Sequence, residues 1–241
     1  MESERQDRIW NLLADEARHL GGGISIDLVC STTRRVLAVD GVGVTLIGAD
    51  TAREVACATD QRSRRLEELQ FMLGEGPCLE SFALGAPVLA SDLAAETARW
   101  PVFAPAAVEA GARSVFSFPL QFGAVAIGTF EVHRRTAGPL SGEELGNALV
   151  LADTVALLLL DSHGRDEGTG HLADAQPWLA PDYHTEVYQA TGMLSVQLGI
   201  GLDDALARLR AHAFANELSV SAVAREILAG RLRLDEGDAD G

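Results

Sequence analysis

Between residues 163 and 182 the chain drops its apolar periodicity and turns to Gly, Asp and Pro. Such a stretch buries too little apolar surface to offset the entropy of ordering its backbone. It therefore reads as a linker that cuts the 241 residues into two bodies. What lies on either side has different periodicity, so the two bodies belong to different fold classes.

Before the linker, helical and strand-like periods alternate. Residues 3–20 place Ile9, Leu12, Leu13 and Leu20 near one helical face, and Gly21-Gly22-Gly23 ends that helix. A second helix is expected over 24–39, from Ile26, Val29, Cys30, Thr33, Val36 and Leu37. The period then shortens to two. Val42, Val44 and Leu46 alternate with Gly43, Thr45 and Ile47, and residues 54–59 follow as the return strand of a hairpin. Residues 60–73 read as partly helical, and Gly74-Glu75-Gly76-Pro77 is turn chemistry with Pro77 opening the next helix. Residues 87–90 form a short extended piece, and a helix follows Trp100-Pro101 and ends at Gly111. Residues 114–121 and 124–133 make a second hairpin about Phe122-Gly123. Ser141 and Glu144 carry a capping-box spacing ahead of a long helix. In it Leu145, Leu149, Ala152, Ala156 and Leu159 are spaced 4, 3, 4, 3, the seam of a coiled coil or of a helix laid on a sheet.

After the linker, residues 183–234 read as three amphipathic helices broken at Gly199 and Gly201 and capped before the third by Ser219 or Ser221. The expected fold class is α+β: an antiparallel sheet flanked by helices, followed by a C-terminal all-α three-helix module. The expected boundaries are an N-terminal helix at 1–21, a sensor-like domain at 22–162, the linker at 163–182, the helical module at 183–234 and an acidic tail at 235–241.

Charge and motifs narrow the function. The chain carries 19 basic residues against 35 acidic ones, net −16, and every basic residue is Arg. Affinity for polyanions comes from cations releasing counterions, so general polyanion binding is excluded and any nucleic-acid contact is local. The helical module departs from that balance. Its Arg208, Arg210, Arg225, Arg231 and Arg233 offset Glu186, Asp203, Asp204, Glu217 and Glu226. No apolar run reaches the ~18 residues of a membrane span, and the charged opening Met1-Glu2-Ser3-Glu4-Arg5 is not a signal peptide. A cytoplasmic protein with no membrane contact is expected. Cys30, Cys57 and Cys78 have no close spacing and read as buried structural thiols. Gly-x-Ser-x-Gly, His-Glu-x-x-His and Gly-x4-Gly-Lys-Ser/Thr are absent, and the six His show no zinc spacing. No catalytic and no metal site is expected. The Gly74–Cys78 turn is read as a turn first, and as a phosphate cradle through its N–H groups second.

Two ordered series of residues carry a resemblance. The first is Gly74-Glu75-Gly76-Pro77-Cys78, Pro87, Ser91-Asp92-Leu93, Arg99-Trp100-Pro101-x-Phe103-Ala104, Arg113-Ser114-Val115, Pro119-Leu120 and Ala126-Ile127-Gly128. It resembles a GAF domain over residues 22–162. The second is Gln189-Ala190-x-Gly192-Met193-Leu194, Gly199, Asp204-Ala205, Leu209-Arg210, Ala213 and Val223-Ala224. It resembles an ANTAR domain over residues 184–232, a three-helix module that binds hairpins in nascent RNA. Together they are similar to GAF and ANTAR domain-containing transcriptional regulators of the actinobacterial antiterminator type. The resemblance implies an antiterminator that binds an RNA hairpin, a small-molecule ligand of undetermined identity in the GAF-like domain, and no cofactor that the sequence can name. The slot between Ala190 and Gly192, a Lys in that family, is Thr191 here, so one cation is lost. The RNA-contact candidates are Gln189, Ala190, Thr191, Gly192 and Arg210. The small residues among them also fit plain helix packing. The 4-3-4-3 seam gives the expectation of a homodimer. The alternatives are a helix-turn-helix DNA-binding regulator and a ligand-binding module with no nucleic-acid role.

Overall fold

The computed structural model describes residues 2–47, 53–123, 125–166, 185–216 and 218–234. The chain begins with helices α1 (Glu2–Leu20) and α2 (Ile26–Val36) and the hairpin β1 (Gly41–Ile47) and β2 (Arg53–Ala58). Helices α3 (Gln61–Leu73) and α4 (Pro77–Leu84) come next, then β3 (Val88–Ala90) and α5 (Phe103–Glu109). The second hairpin is β4 (Ser114–Phe122) and β5 (Val125–Arg134), and the long α6 (Gly142–Asp166) follows. Beyond residue 184 come α7 (Thr185–Leu198), α8 (Leu202–Ala215) and α9 (Val220–Leu228).

Local chemistry sets many of these ends. Ser25 caps α2 by accepting from the Leu28 N–H at 3.2 Å, and Asp60 caps α3 by accepting from the Ser63 N–H at 2.7 Å. The expected capping box closes in both directions: the Ser141 N–H donates to Glu144 and the Glu144 N–H to the Ser141 hydroxyl. Ser219, not Ser221, caps α9. Helix α2 is shorter than its periodicity suggests, because Ala38 takes a left-handed φ of 46° just before β1. Helix α6 runs to Asp166, so the N-terminal edge of the expected linker is helical. The rest of that linker and the acidic tail lie outside the described residues.

Among the described residues the strands form one antiparallel sheet in the order β2-β1-β5-β4-β3. The two hairpins join because β1 pairs with β5, Gly43 standing opposite Glu131 and Thr45 opposite Thr129. The short extended piece becomes an edge strand, with Val88 opposite Ser117. One face of the sheet is apolar. Val42, Val44, Phe116, Phe118, Phe130 and Val132 point from it into a core closed by α1, α2 and α6. Ala152, Ala156 and Leu159 of the seam are buried in that same core. The seam therefore serves packing within the chain, while Leu149, Leu157 and Leu160 are left facing outward at 42%, 48% and 45% exposure.

The helical module closes its own core of Val187, Ala190, Leu194, Leu209, Val223 and Ile227. That core also takes in Phe71 and Met72 from the last turn of α3. The helical module thus meets the sensor half around Phe71. Among the described residues no helix is long and apolar enough to cross a membrane.

Candidate functional site

The second face of the sheet has a composition unusual for a buried surface. Along β1 it presents Gly41, Gly43 and Thr45, along β5 Thr129, Glu131 and His133, and along β4 Ser117. A strand sends alternate side chains to opposite faces, so this polar set follows from the same register that sends the Val and Phe residues the other way. Helices α3 and α4 cover it, and Thr45, Ser117, Thr129, Glu131 and His133 are all buried.

Helix α3 adds Glu67 and Gln70, both buried and one turn apart on the face it lays on the sheet. Glu67 reaches the sheet because position 43 has no side chain. A Cβ there would lie 2.6 Å from Glu67 Oε1. Thr45 Oγ1 donates to Glu67 Oε2 at 2.7 Å, while Oε1 is buried with no hydrogen-bond partner. Gln70 Nε2 donates to both oxygens of Glu131, at 3.2 and 2.9 Å, and Gln70 Oε1 accepts the Cys78 N–H at 2.7 Å. Cys78 Sγ lies 2.8 Å from Thr129 Oγ1.

Two carboxyl groups out of water and near one another resist ionisation. Burial pushes Glu67 up to about 7, against the Thr45 hydrogen bond and the attraction of Arg53. Burial and the neighbouring Glu67 push Glu131 well above the carboxylate range. Burial, with Glu67 and Glu131 adding to it, also raises the Cys78 thiol. His133 goes the other way: burial lowers it to about 4, and its Nε2 is buried with no hydrogen-bond partner. At neutral pH this buried polar cluster holds a Glu131 whose ionisation burial opposes, a Glu67 poised to titrate, a neutral His133 and a neutral thiol. Shifted, buried groups of this kind concentrate at functional sites.

The residues of the sequence motifs frame the pocket and do not fill it. Glu75 Oε1 accepts the Val102 and Phe103 N–H groups, both at 2.7 Å, and so fixes the start of α5. Arg99 pairs with Glu80 and stacks 4.6 Å from the Trp100 ring centroid. Arg113 pairs with Asp92 at 2.9 Å. In the Gly74–Cys78 turn the Cys78 N–H is engaged by Gln70. An open groove of about 640 Å³ between α3 and α5 is lined by other residues, Arg62 and Arg65 among them. Cys57, which sequence spacing left free to approach Cys78, instead neighbours Cys30 in the core on the other face of the sheet, and together with burial raises the Cys30 thiol. All three cysteines are free and buried. No cluster of three or more His, Cys, Asp or Glu among the described residues could hold a metal ion.

The RNA-contact candidates separate in space. Gln189 is exposed, and nothing lies within 4 Å of a Cβ built on Gly192. Ala190 is fully buried, and Thr191 is 5% exposed with its hydroxyl donating to the Val187 carbonyl at 2.7 Å. Packing claims both, which is the plainer reading of small residues at a helix crossing. Arg210 is half-buried and turned inward: its guanidinium carbon stands 5.3 Å from the Phe71 ring centroid. Tyr188 closes the same junction. Its ring meets Phe71 edge-on at 6.1 Å, and its hydroxyl donates to the Arg53 carbonyl at 3.1 Å while accepting the Arg53 N–H.

Sequence reasoning missed Glu67, Gln70, Glu131, Arg53, Phe71 and Tyr188. A signal existed for one of them, since Thr129, Glu131 and His133 recur at a period of two inside an otherwise apolar strand. Nothing local marked the others.

The fold finds counterparts in known proteins. The GAF domain family model matches residues 26–159, more than half of the chain, and the chain belongs to that family. Among solved structures, the GAF domain of a phosphoenolpyruvate-protein phosphotransferase from Coxiella burnetii aligns with a TM-score of 0.52 at 14% identity, covering 67% of this chain and 98% of that one. The corresponding domain from Acinetobacter aligns with a TM-score of 0.47 at 11% identity, over 69% and 98%. The likeness to the Coxiella burnetii domain shows the fold. Comparison with curated proteins gives no match.

Proposed function

We propose that the chain is a cytoplasmic, non-catalytic transcription regulator. Its GAF domain senses a small molecule, and its C-terminal module, ANTAR-like in sequence, binds a hairpin in nascent RNA and opposes termination. The observation that carries this reading is the junction. The polar pocket and the helical module meet on successive residues of one helix: Gln70 bonds Glu131 and Cys78, and Phe71 enters the module's core. A ligand that displaces Gln70 in the pocket would move Phe71 and the module with it. Packed helices have discrete arrangements, so a small shift at one end of α3 is passed on.

On this reading RNA meets the outward face of α7 at Gln189 and Gly192, and Arg210 joins only when α8 leaves Phe71. Hairpin loops are read by shape and by splayed bases, which a few neutral donors and acceptors can serve in an otherwise acidic chain. The protein works as a homodimer through the outward face of α6 at Leu149, Leu157 and Leu160.

The test is a binding assay of the full chain against RNA hairpins and duplex DNA of matched length. RNA-hairpin binding is expected, and Gln189→Ala should weaken it by about 1 kcal/mol, one hydrogen bond, without moving the melting temperature. Preference for duplex DNA would support the helix-turn-helix alternative and overturn the antiterminator reading. Binding to neither would leave a ligand-binding module with no nucleic-acid role.

A further inference from the structure

Arg210 and Arg53 present an unusual pair of cations. They come from opposite sides of the junction, one on α8 and one at the start of β2, and both stand over Phe71, at 5.3 and 5.7 Å from its centroid. Arg210 Nε and Nη2 are buried and have no acceptor, and neither has Arg53 Nε. Among the described residues the one hydrogen bond of the Arg53 guanidinium is a long 3.5 Å reach to the Gln70 carbonyl. Among the described residues neither forms an ion pair.

Acids are not scarce. The chain has 35 of them, and the solvent-facing Arg99, Arg113, Arg135 and Arg231 each hold a carboxylate, as does the more buried Arg134. Arg53 and Arg210 hold none among the described residues, and both stand over the same Phe71 ring. Glu67 and Asp203 attract them only from a distance. Burial first, and then the charge of Arg53, lowers Arg210 to about 10. Buried charges are ordinarily paired, and buried donors ordinarily have acceptors. What this arrangement lacks is an anion.

The free hydrogens define its shape. Nε and Nη2 lie along one edge of a guanidinium, the fork that grips two oxygens of one oxyanion. Arg210 offers that edge whole, and Arg53 adds a third donor from the other side. Three donors on two positive charges match the three oxygens and double charge of a terminal phosphoryl group better than a carboxylate. The place also limits the ligand. Phe71 and Tyr188 close over the arginines, and Gly74 (φ +70°) allows Arg210 to approach, since a Cβ there would lie 3.2 Å from Nη1. With α8 on Phe71, such a junction suits a small terminal phosphate rather than the continuous backbone of a folded RNA, which would reach Arg210 only with α8 off Phe71.

We propose that Arg53 and Arg210 form a binding site for the terminal phosphoryl group of a small molecule, at the junction of the GAF domain and the helical module. The bound anion bridges the two bodies and holds Arg210 against the GAF domain. This goes beyond the RNA reading and does not depend on it.

The experiment is calorimetric titration and thermal melting of the full chain with inorganic phosphate, in buffer free of other oxyanions. Saturable binding and a melting temperature that rises with phosphate are expected. Arg53→Gln and Arg210→Gln should each weaken that binding at least tenfold. In phosphate-free buffer each variant should melt at or above the parent, because one of two repelling buried cations is gone; this separates a binding role from a structural one. Absence of saturable phosphate binding overturns the proposal, as does phosphate binding that survives both substitutions. Acetate binding as tightly as phosphate overturns the phosphoryl assignment. RNA-hairpin binding lost in both variants, with no phosphate binding, assigns the arginines to RNA and overturns it too.

Discussion

Replacing Glu67 with Gln keeps the shape of the side chain and removes its charge. In the parent protein the Glu67 carboxyl titrates near 7 in the folded state, against an ordinary value of 4.5. The folded state therefore holds a proton that the unfolded chain has released, and stability falls as pH rises between those two values. Below pH 4.5 both states are protonated and the residue contributes no pH dependence. Above pH 7 the loss is complete, at about 3 kcal/mol for that interval. The Gln variant has no such slope. Its amide oxygen can still accept from Thr45, but its NH2 takes the place of Oε1, which has no partner, and a buried unpaired donor costs roughly 1–3 kcal/mol at every pH. The variant should be the less stable protein near pH 4.5 and equal or more stable near pH 8. Urea unfolding across that range measures it. The difference, variant minus parent, should rise by about 3 kcal/mol with pH. Parallel stability curves, or a difference that falls with pH, would refute the picture of a carboxyl held neutral by burial.

Two further substitutions probe the same architecture. Gly43→Ala places a Cβ 2.6 Å from Glu67 Oε1 and should cost about 1–3 kcal/mol by urea unfolding, a cost that shrinks by at least about 1 kcal/mol when Glu67→Ala is made as well. Leu149→Glu, at a position 42% exposed, should convert a parent dimer to a monomer in light scattering and leave the melting temperature of the fold nearly unchanged; a parent that is already monomeric ends the dimer proposal.

The sequence by itself determined the elements. Val42, Val44 and Leu46 alternate, Ser141 and Glu144 have capping-box spacing, Pro77 follows two glycines, and three amphipathic repeats follow residue 184. These are local properties: a hydrogen bond to a helix end or a period of two or 3.6 needs no knowledge of the rest of the chain. The two-body plan and the α+β class followed from them. The site did not. The polar members of β1 and β5 look like a solvent face, because an alternating strand does not say which of its faces a helix will cover. Only when α3 lies across that face do Glu67 and Glu131, sixty-four positions apart, meet and lose their water. The seam of α6 shows the same limit: its spacing is equally good for a second chain and for the chain's own sheet, and only the tertiary structure lays Ala152, Ala156 and Leu159 on the sheet and leaves Leu149 outward. Arg210 shows the limit most plainly. Its sequence context marks a helix surface, yet its surroundings are Phe71, Tyr188 and Arg53, brought from three other elements. Burial and the charges nearby decide what an ionisable side chain does, and both are set by contacts between distant parts of the chain.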